Sequence, residues 1–493
     1  MGVPSRGFLC FSILLTQRAW REMVSKRTRF QVKILCSLLI YALDVPAQQN
    51  QQNLDREFKS AVAQSEAGQF AQAAAQLEDL LRSVPRSFEV HELLGQVYAS
   101  QSEDAKAIEH LQEAVRLKPD SGPARTNLAA SLLHAGKTDL AGEQFRKALD
   151  LEPGDYDANH NLGEFYIQSG KMTDALPLLE KAQSINPSTY DNGYDLAQAD
   201  FLTGRVAQAR QVAQALLSTR STGELHNLLG QIEEKDGKFV AAVNEFQIAA
   251  HIDPSDSNLF DWGTELLLHR AYEPSIDVFQ QASERYPNSP RLRIGLGMAL
   301  YARSKYDDAV KALLAAADLD PSDARCYSFL SRAYGSSPTQ AEDVIQRFKR
   351  YVELQPGNPE ALYYYAMSLW KGKRVGDASL DLPMIETLLQ KSIALNGAFP
   401  DPHLQLGNLY ADQHEYAKSV PEYVRALELD PNLSDAHYRL GTDYIHVGQK
   451  DQAAKEFDIY QKLRAEHLAE VDKERAEVQQ FVYAEKSSSS TKP

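Results

Sequence analysis

Cysteine is nearly absent from this 493-residue chain, with three in all. Two of them, Cys10 and Cys36, fall in an N-terminal segment that reads as removable, which leaves Cys326 alone and excludes an intramolecular disulfide. Cys36 is flanked by apolar residues and lacks the look of a lipid-attachment cysteine, and Cys326 reads as a small core thiol. Long apolar runs are also missing. The longest, Phe8 to Leu15 and Ile34 to Leu43, are each too short to span a bilayer and are separated by charged residues. Basic blocks are absent from the body of the chain, and over the full sequence Asp and Glu outnumber Lys and Arg by 67 to 52 for a net charge of -15, which argues against a nucleic-acid partner.

Catalytic signatures are lacking as well. His91-Glu92 has no second histidine three residues on, as a zinc-protease helix needs. There is no Gly-x-Ser-x-Gly elbow, no paired-cysteine metal set and no dinucleotide fingerprint. The twelve histidines read as scattered structural residues. The expectation is therefore a non-catalytic protein with no cofactor, no metal and no catalytic residue.

What the chain does have is a beat. Pro85, Pro119, Pro153 and Pro187 stand 34 residues apart, and Pro254, Pro287, Pro321, Pro356 and Pro431 resume the series. Before each proline come a small residue, an aromatic or apolar residue and alanine slots, as in Gly95, Tyr98, Ala107, Ala114 and Pro119, or Gly163, Tyr166, Ala175, Ala182 and Pro187. Small residues in one helix let its partner helix approach, and large ones fill the gap. Gly68-Gln69, Gly136-Lys137, Gly170-Lys171, Gly204-Arg205, Gly237-Lys238 and Gly448-Gln449 mark the turn within each pair of helices. The proline stops the second helix, and a following Ser, Asn or Asp caps the next, as in Pro254-Ser255-Asp256.

This pattern closely resembles the tetratricopeptide repeat family. The resemblance implies an all-α, right-handed superhelical solenoid of about twelve helix hairpins over residues 48–467, followed by a capping helix at 468–486 and a disordered tail at 487–493. Two units match poorly. Around 190–222 the proline slot is Ser221, and around 359–399 it is Gly397, with an insertion from Lys371 to Asp377 read as a surface loop between the two helices.

Residues 1–47 read as a start-site extension plus a secretory signal. From Met23 the chain carries basic Lys26, Arg27, Arg29 and Lys33, the apolar run Ile34 to Leu43, and Val45-Pro46-Ala47 before a cleavage point after Ala47. The expected location is periplasmic or secreted; if the segment is not cleaved, the chain is anchored to the membrane by it.

In this family the first helix of each hairpin lines the concave groove, and an inward position lies two residues before the small slot. That position carries Lys59, Leu93, Asn127, Asn161, Asp195 and Leu228, then Asp261, Gly295, Phe329, Tyr364, Gln405 and Arg439. Asn127 and Asn161 resemble the start of the asparagine ladder of O-linked N-acetylglucosamine transferase, and an amide can both donate to and accept from a peptide backbone. The carboxylate clamp of chaperone-binding relatives is excluded by charge, because its basic slots hold Glu92, Asp157, Asp191 and Asp195. The third quarter brings Phe260, Phe329, Tyr363 and Tyr364 together with Arg291, Arg325 and Arg332, a composition suited to a binding hot spot, although Tyr363 to Tyr365 also suit inter-repeat core. The function expected is an envelope scaffold that binds a protein or peptide segment in this groove. The alternative is a docking subunit of an envelope polysaccharide or secretion enzyme complex.

Overall fold

The computed structural model describes residues 45–338, 340–372 and 381–467, with the side chains of the first helix described from residue 52. The expected signal, the capping helix at 468–486 and the tail all lie outside the described residues, apart from Val45 to Ala47, which sit in the first helical turn.

The described residues are helical hairpins joined by short turns, without a strand among them. They divide into two compact units, one up to Arg220 and one from Ser221. The first unit contains α1 (Val45–Glu66), α2 (Phe70–Ser83), α3 (Phe88–Ser100), α4 (Asp104–Leu117), α5 (Gly122–His134), α6 (Thr138–Leu151), α7 (Tyr156–Gln168), α8 (Met172–Ile185), α9 (Tyr190–Leu202) and α10 (Val206–Leu217). The second contains α11 (Gly223–Lys235), α12 (Phe239–Ile252), α13 (Asp256–Leu268), α14 (Tyr272–Arg285), α15 (Pro290–Ala302), α16 (Tyr306–Leu319) and α17 (Ala324–Ser336). It continues through α18 (Ala341–Leu354), α19 (Pro359–Lys371), α20 (Leu382–Leu395), α21 (Pro400–Asp412), α22 (Tyr416–Leu429) and α23 (Ser434–His446), and the described part of α24 covers 450–467. Odd-numbered helices are the first of each hairpin and even-numbered ones the second, which makes the twelve expected hairpins.

Local chemistry sets these boundaries. Most first helices start where a side chain after the proline accepts an otherwise orphaned backbone N–H: Ser87 from Val90, Ser121 from Ala124, Asp155 from Ala158, Ser255 from Asn258 and Asn358 from Ala361. Within ten of the hairpins the chain turns through one left-handed residue. Glycine holds it at six positions, including Gly136 (φ 74°) and Gly170 (φ 71°), while Ser102, Arg270, Ser304 and His414 adopt the same conformation with φ between 60° and 62°.

In most hairpins the small slot of the first helix faces a large side chain sixteen residues on. A Cβ at Gly163 would stand 2.7 Å from Leu179 Cδ2, one at Gly297 2.5 Å from Leu313 Cγ, and one at Gly407 2.7 Å from Tyr423 Cε1. Leu179, Leu313 and Tyr423 are fully buried as a result. Within each unit every second helix packs on the next first helix, and most successive first helices also touch one another, which gives each unit a face built from first helices. The hairpin α17/α18 differs: its backbones lie farther apart, with the Tyr327 ring of α17 stacked on Tyr351 of α18 at 3.9 Å and tilted against Phe348 at 5.7 Å, while Arg347 turns outward to Asp318 and Asp343 at 3.0 and 2.9 Å. Between α19 and α20, Lys371 ends the helix, and residues 373–380, which hold most of the expected insertion, lie outside the described ones.

Candidate binding faces

On the first-helix face of the second unit, Arg332 of α17 is exposed and its guanidinium lies over the Phe329 ring at 5.6 Å. The next first helix, α19, presents Tyr363 and Tyr364 half-buried with ring centroids 5.6 Å apart, while Tyr365 turns into the core. The triplet therefore splits between face and core, as helical geometry requires of three consecutive residues. Phe399, at the start of α21, meets the Tyr363 ring edge-on at 5.3 Å. Asp401 of α21 completes the cluster. Burial holds its carboxyl above the usual carboxylate range, Asp430 pushes the same way, and Arg332 opposes both. Burial and the nearby Asp401 push the Tyr363 hydroxyl upward, so it stays a neutral donor.

The other expected groove residues are differently occupied. Arg325 keeps 66% of its side chain exposed, but its guanidinium forks onto Asp323, the cap of its own helix, at 3.0 and 2.7 Å. Arg291 is ion-paired to Asp256 and lies over Phe260 at 5.4 Å. Phe260 in turn meets Phe279 edge-on at 5.9 Å. The Gly295 slot is filled by the Phe279 ring from the preceding hairpin. Gln405 accepts from Asn408 at 3.1 Å.

In the first unit the two asparagines part company. Asn127 is half-buried on α5, whereas Asn161 is buried and donates to the Asp157 carbonyl of its own helix at 2.6 Å. Beside Asn161, on α7 and α9, lies a cluster that the sequence slots showed only in part. Asp195 stands 3.9 Å from His160 Nδ1 and keeps 21% exposure, and Glu164 lies one turn above His160. Burial raises the carboxyl pKa of both, that of Asp195 well above its usual range, with Glu164 and Asp191 adding repulsion there. The Tyr156 ring stacks on His160 at 5.5 Å, Tyr190 stacks on Tyr194 at 6.4 Å, and Arg220 lies over Tyr190 at 5.3 Å. Asp191 and Asp195 had been visible as acidic slots, but Glu164 and His160 lie outside the single inward position used to read the groove.

Cys326 is buried, its Sγ donates to the Leu313 carbonyl at 3.0 Å, and burial pushes the thiol up to about 12, so it is no nucleophile. Among the described residues no group of His, Cys, Asp and Glu could hold a metal ion, and no helix is long and apolar enough to cross a membrane.

The chain is similar to several known proteins. It is 24% identical over 207 residues to the human protein O-mannosyl-transferase TMTC3, covering 40% of this chain and 22% of that protein. It is 25% identical over 211 residues to tetratricopeptide repeat protein 37 of Xenopus laevis, covering 42% of this chain and 13% of that one. The match thus spans about a fifth or less of these relatives. Among solved structures, Pseudomonas aeruginosa pilF is 17% identical with a TM-score of 0.39, covering 43% of this chain and 96% of that chain. Cut9 in the APC/C hetero-tetramer Cut9-Hcn1 is 15% identical with a TM-score of 0.37, covering 85% and 95%. Two models described as "Tetratricopeptide repeat" match residues 58–122 and 260–324, and 132–176 and 166–232, and one described as "TPR repeat" matches 407–444. These segments together span more than half of the chain, which belongs to the tetratricopeptide repeat family.

Proposed function

We propose that this protein is an exported interaction scaffold that holds segments of partner proteins on its first-helix faces, with the cluster of Phe329, Arg332, Tyr363, Tyr364 and Phe399 as the principal contact. The observation that carries the reading is Arg332: an exposed guanidinium laid along an aromatic ring, with no ion pair to a described carboxylate, beside half-buried rings of the next two first helices. Rigid rings supply contact area at small entropic cost, and a guanidinium fork fixes a carboxylate. The partner expected there is an extended or helical segment bearing aromatic and acidic side chains, with Asn127, Phe260 and Gln405 farther along the first helices as secondary contacts.

The first unit favours a different ligand chemistry. Glu164 and Asp195 repel each other beside the rings of Tyr156 and Tyr190, an arrangement that a Lys- or Arg-bearing segment would relieve. Export is supported by the basic and apolar segments ahead of Val45-Pro46-Ala47. The transferase named among the relatives is a protein of which this chain matches 22%, and no catalytic role is proposed.

The test is a binding screen of the residue 48–493 protein against an immobilised array of random twelve-residue peptides. Peptides rich in acidic and aromatic residues should bind the wild type and be lost with Arg332→Glu, while Arg325→Glu leaves them bound. An unchanged peptide set with Arg332→Glu would remove the assignment.

A further inference from the structure

One pair of slots, nineteen residues apart, ties the first helix of a hairpin to its second helix in five places. In three the pair is imidazole to carboxylate: His226 to Glu245 at 2.6 Å, His403 to Glu422 at 2.6 Å and His437 to Glu456 at 2.5 Å. In a fourth, Arg125 donates to Gln144 at 2.9 Å. In α3/α4 the acceptor is instead a second imidazole, and His91 Nδ1 lies 3.1 Å from His110 Nδ1.

The proton positions follow from the partners. His91 Nε2 lies 3.3 Å from the Pro85 carbonyl, which can only accept, so Nε2 carries the proton and Nδ1 of the neutral ring is a lone pair. His110 Nδ1 must then donate to it. Two neutral rings satisfy each other; two charged rings would set proton against proton. The surroundings give little relief. His91 is buried, and the Tyr98 ring stacks on His110 at 5.7 Å with Lys106 over its face at 4.7 Å. The Tyr98 hydroxyl already occupies Glu78 of α2. The charged groups facing the pair are Glu78 from α2 and Lys106, Glu109 and Glu113 from α4, with Arg86 of the connecting turn acting on Glu113.

We propose that the His91–His110 contact is an acid-sensitive clasp, by which proton uptake below neutral pH loosens the second hairpin, α3/α4, while hairpins closed by other pairs hold. Burial, followed by the neighbouring His91, lowers the pKa of His110, with Lys106 acting the same way and Glu109 and Glu78 opposing. The sign follows: a histidine depressed in the folded state lends stability above its ordinary range near 6.5 and loses it as pH falls through the lower folded value.

The test is hydrogen exchange of the residue 48–493 protein at pH 7.5 and 5.5, corrected for intrinsic rates and read on peptides of α3/α4 and of α5/α6. Wild type should lose protection in α3/α4 by about tenfold at the lower pH, with α5/α6 unchanged. His110→Glu, which recreates the imidazole–carboxylate pair, should keep it. Retained protection in wild type, or an equal loss in His110→Glu, would overturn the proposal. Should His110→Glu not fold, His110→Gln removes the second titrating ring and carries the same two outcomes.

Discussion

At Gly297 a Cβ would stand 2.5 Å from Leu313 Cγ, and Leu313 is fully buried with no room to retreat. Gly297→Val should therefore cost about 1–3 kcal/mol, read as a lower urea midpoint, while Gly357→Ala, with nothing within 4 Å, should leave it unchanged. The small slots, the turn glycines and their large partners were all legible in the sequence, because each lies a fixed number of residues from the proline. The charge state of single groove residues was not. Arg325 and Arg332 look equivalent seven residues apart, yet Arg325 is held by Asp323 two residues upstream and Arg332 lies on Phe329. The same limit applies to Asn161, whose amide is taken by its own helix. Asp195 adds a pH signature: its folded-state pKa is raised, so its contribution is fully present below the unfolded value near 3.9 and is lost as pH rises through the folded value. Asp195→Asn should accordingly raise the melting temperature at pH 7 and leave it unchanged near pH 3, measured by calorimetry at both.

Among the elements, the hairpin is the natural unit, and its turn admits a direct test. Ser102 takes the left-handed conformation with φ 62° where sister hairpins use glycine. Ser102→Gly should stabilise the protein by about 0.5–1 kcal/mol, seen as a higher denaturation midpoint. The cross-links between helices were hidden from sequence reading for a different reason. His91, His226, His403 and His437 each stand four residues before a small slot, so they share one register, but their partners sit nineteen residues later, across the turn. A list of histidines shows scatter where the hairpin shows a rung. The aromatic filling of α17/α18 was equally hidden, since Tyr327, Phe348 and Tyr351 come together only once the two helices are placed. That hairpin also carries Phe329 and Arg332, so its wider backbone spacing falls beside the proposed contact.

For the whole molecule, the repeat count and the all-helical architecture were legible because a 34-residue period leaves few other ways to bury one apolar stripe per helix. The division at Arg220 was not read from the sequence, which treated residues 48–467 as one solenoid and Ser221 as a poorly matching proline slot. What a repeat frame cannot encode is the partner, since the same framework accepts many groove chemistries. Here the two units offer distinct ones, acidic with tyrosines around Glu164 and Asp195, and aromatic with a free-standing guanidinium around Arg332. The central claim is that partners dock on the first helices. It is tested most directly by placing a photo-cross-linking amino acid at Phe329 or Tyr190 on that face, and at Lys391 on a second helix, in cells that produce the protein. Covalent adducts from Phe329 or Tyr190 and none from Lys391 are predicted; adducts from Lys391 alone would contradict the account.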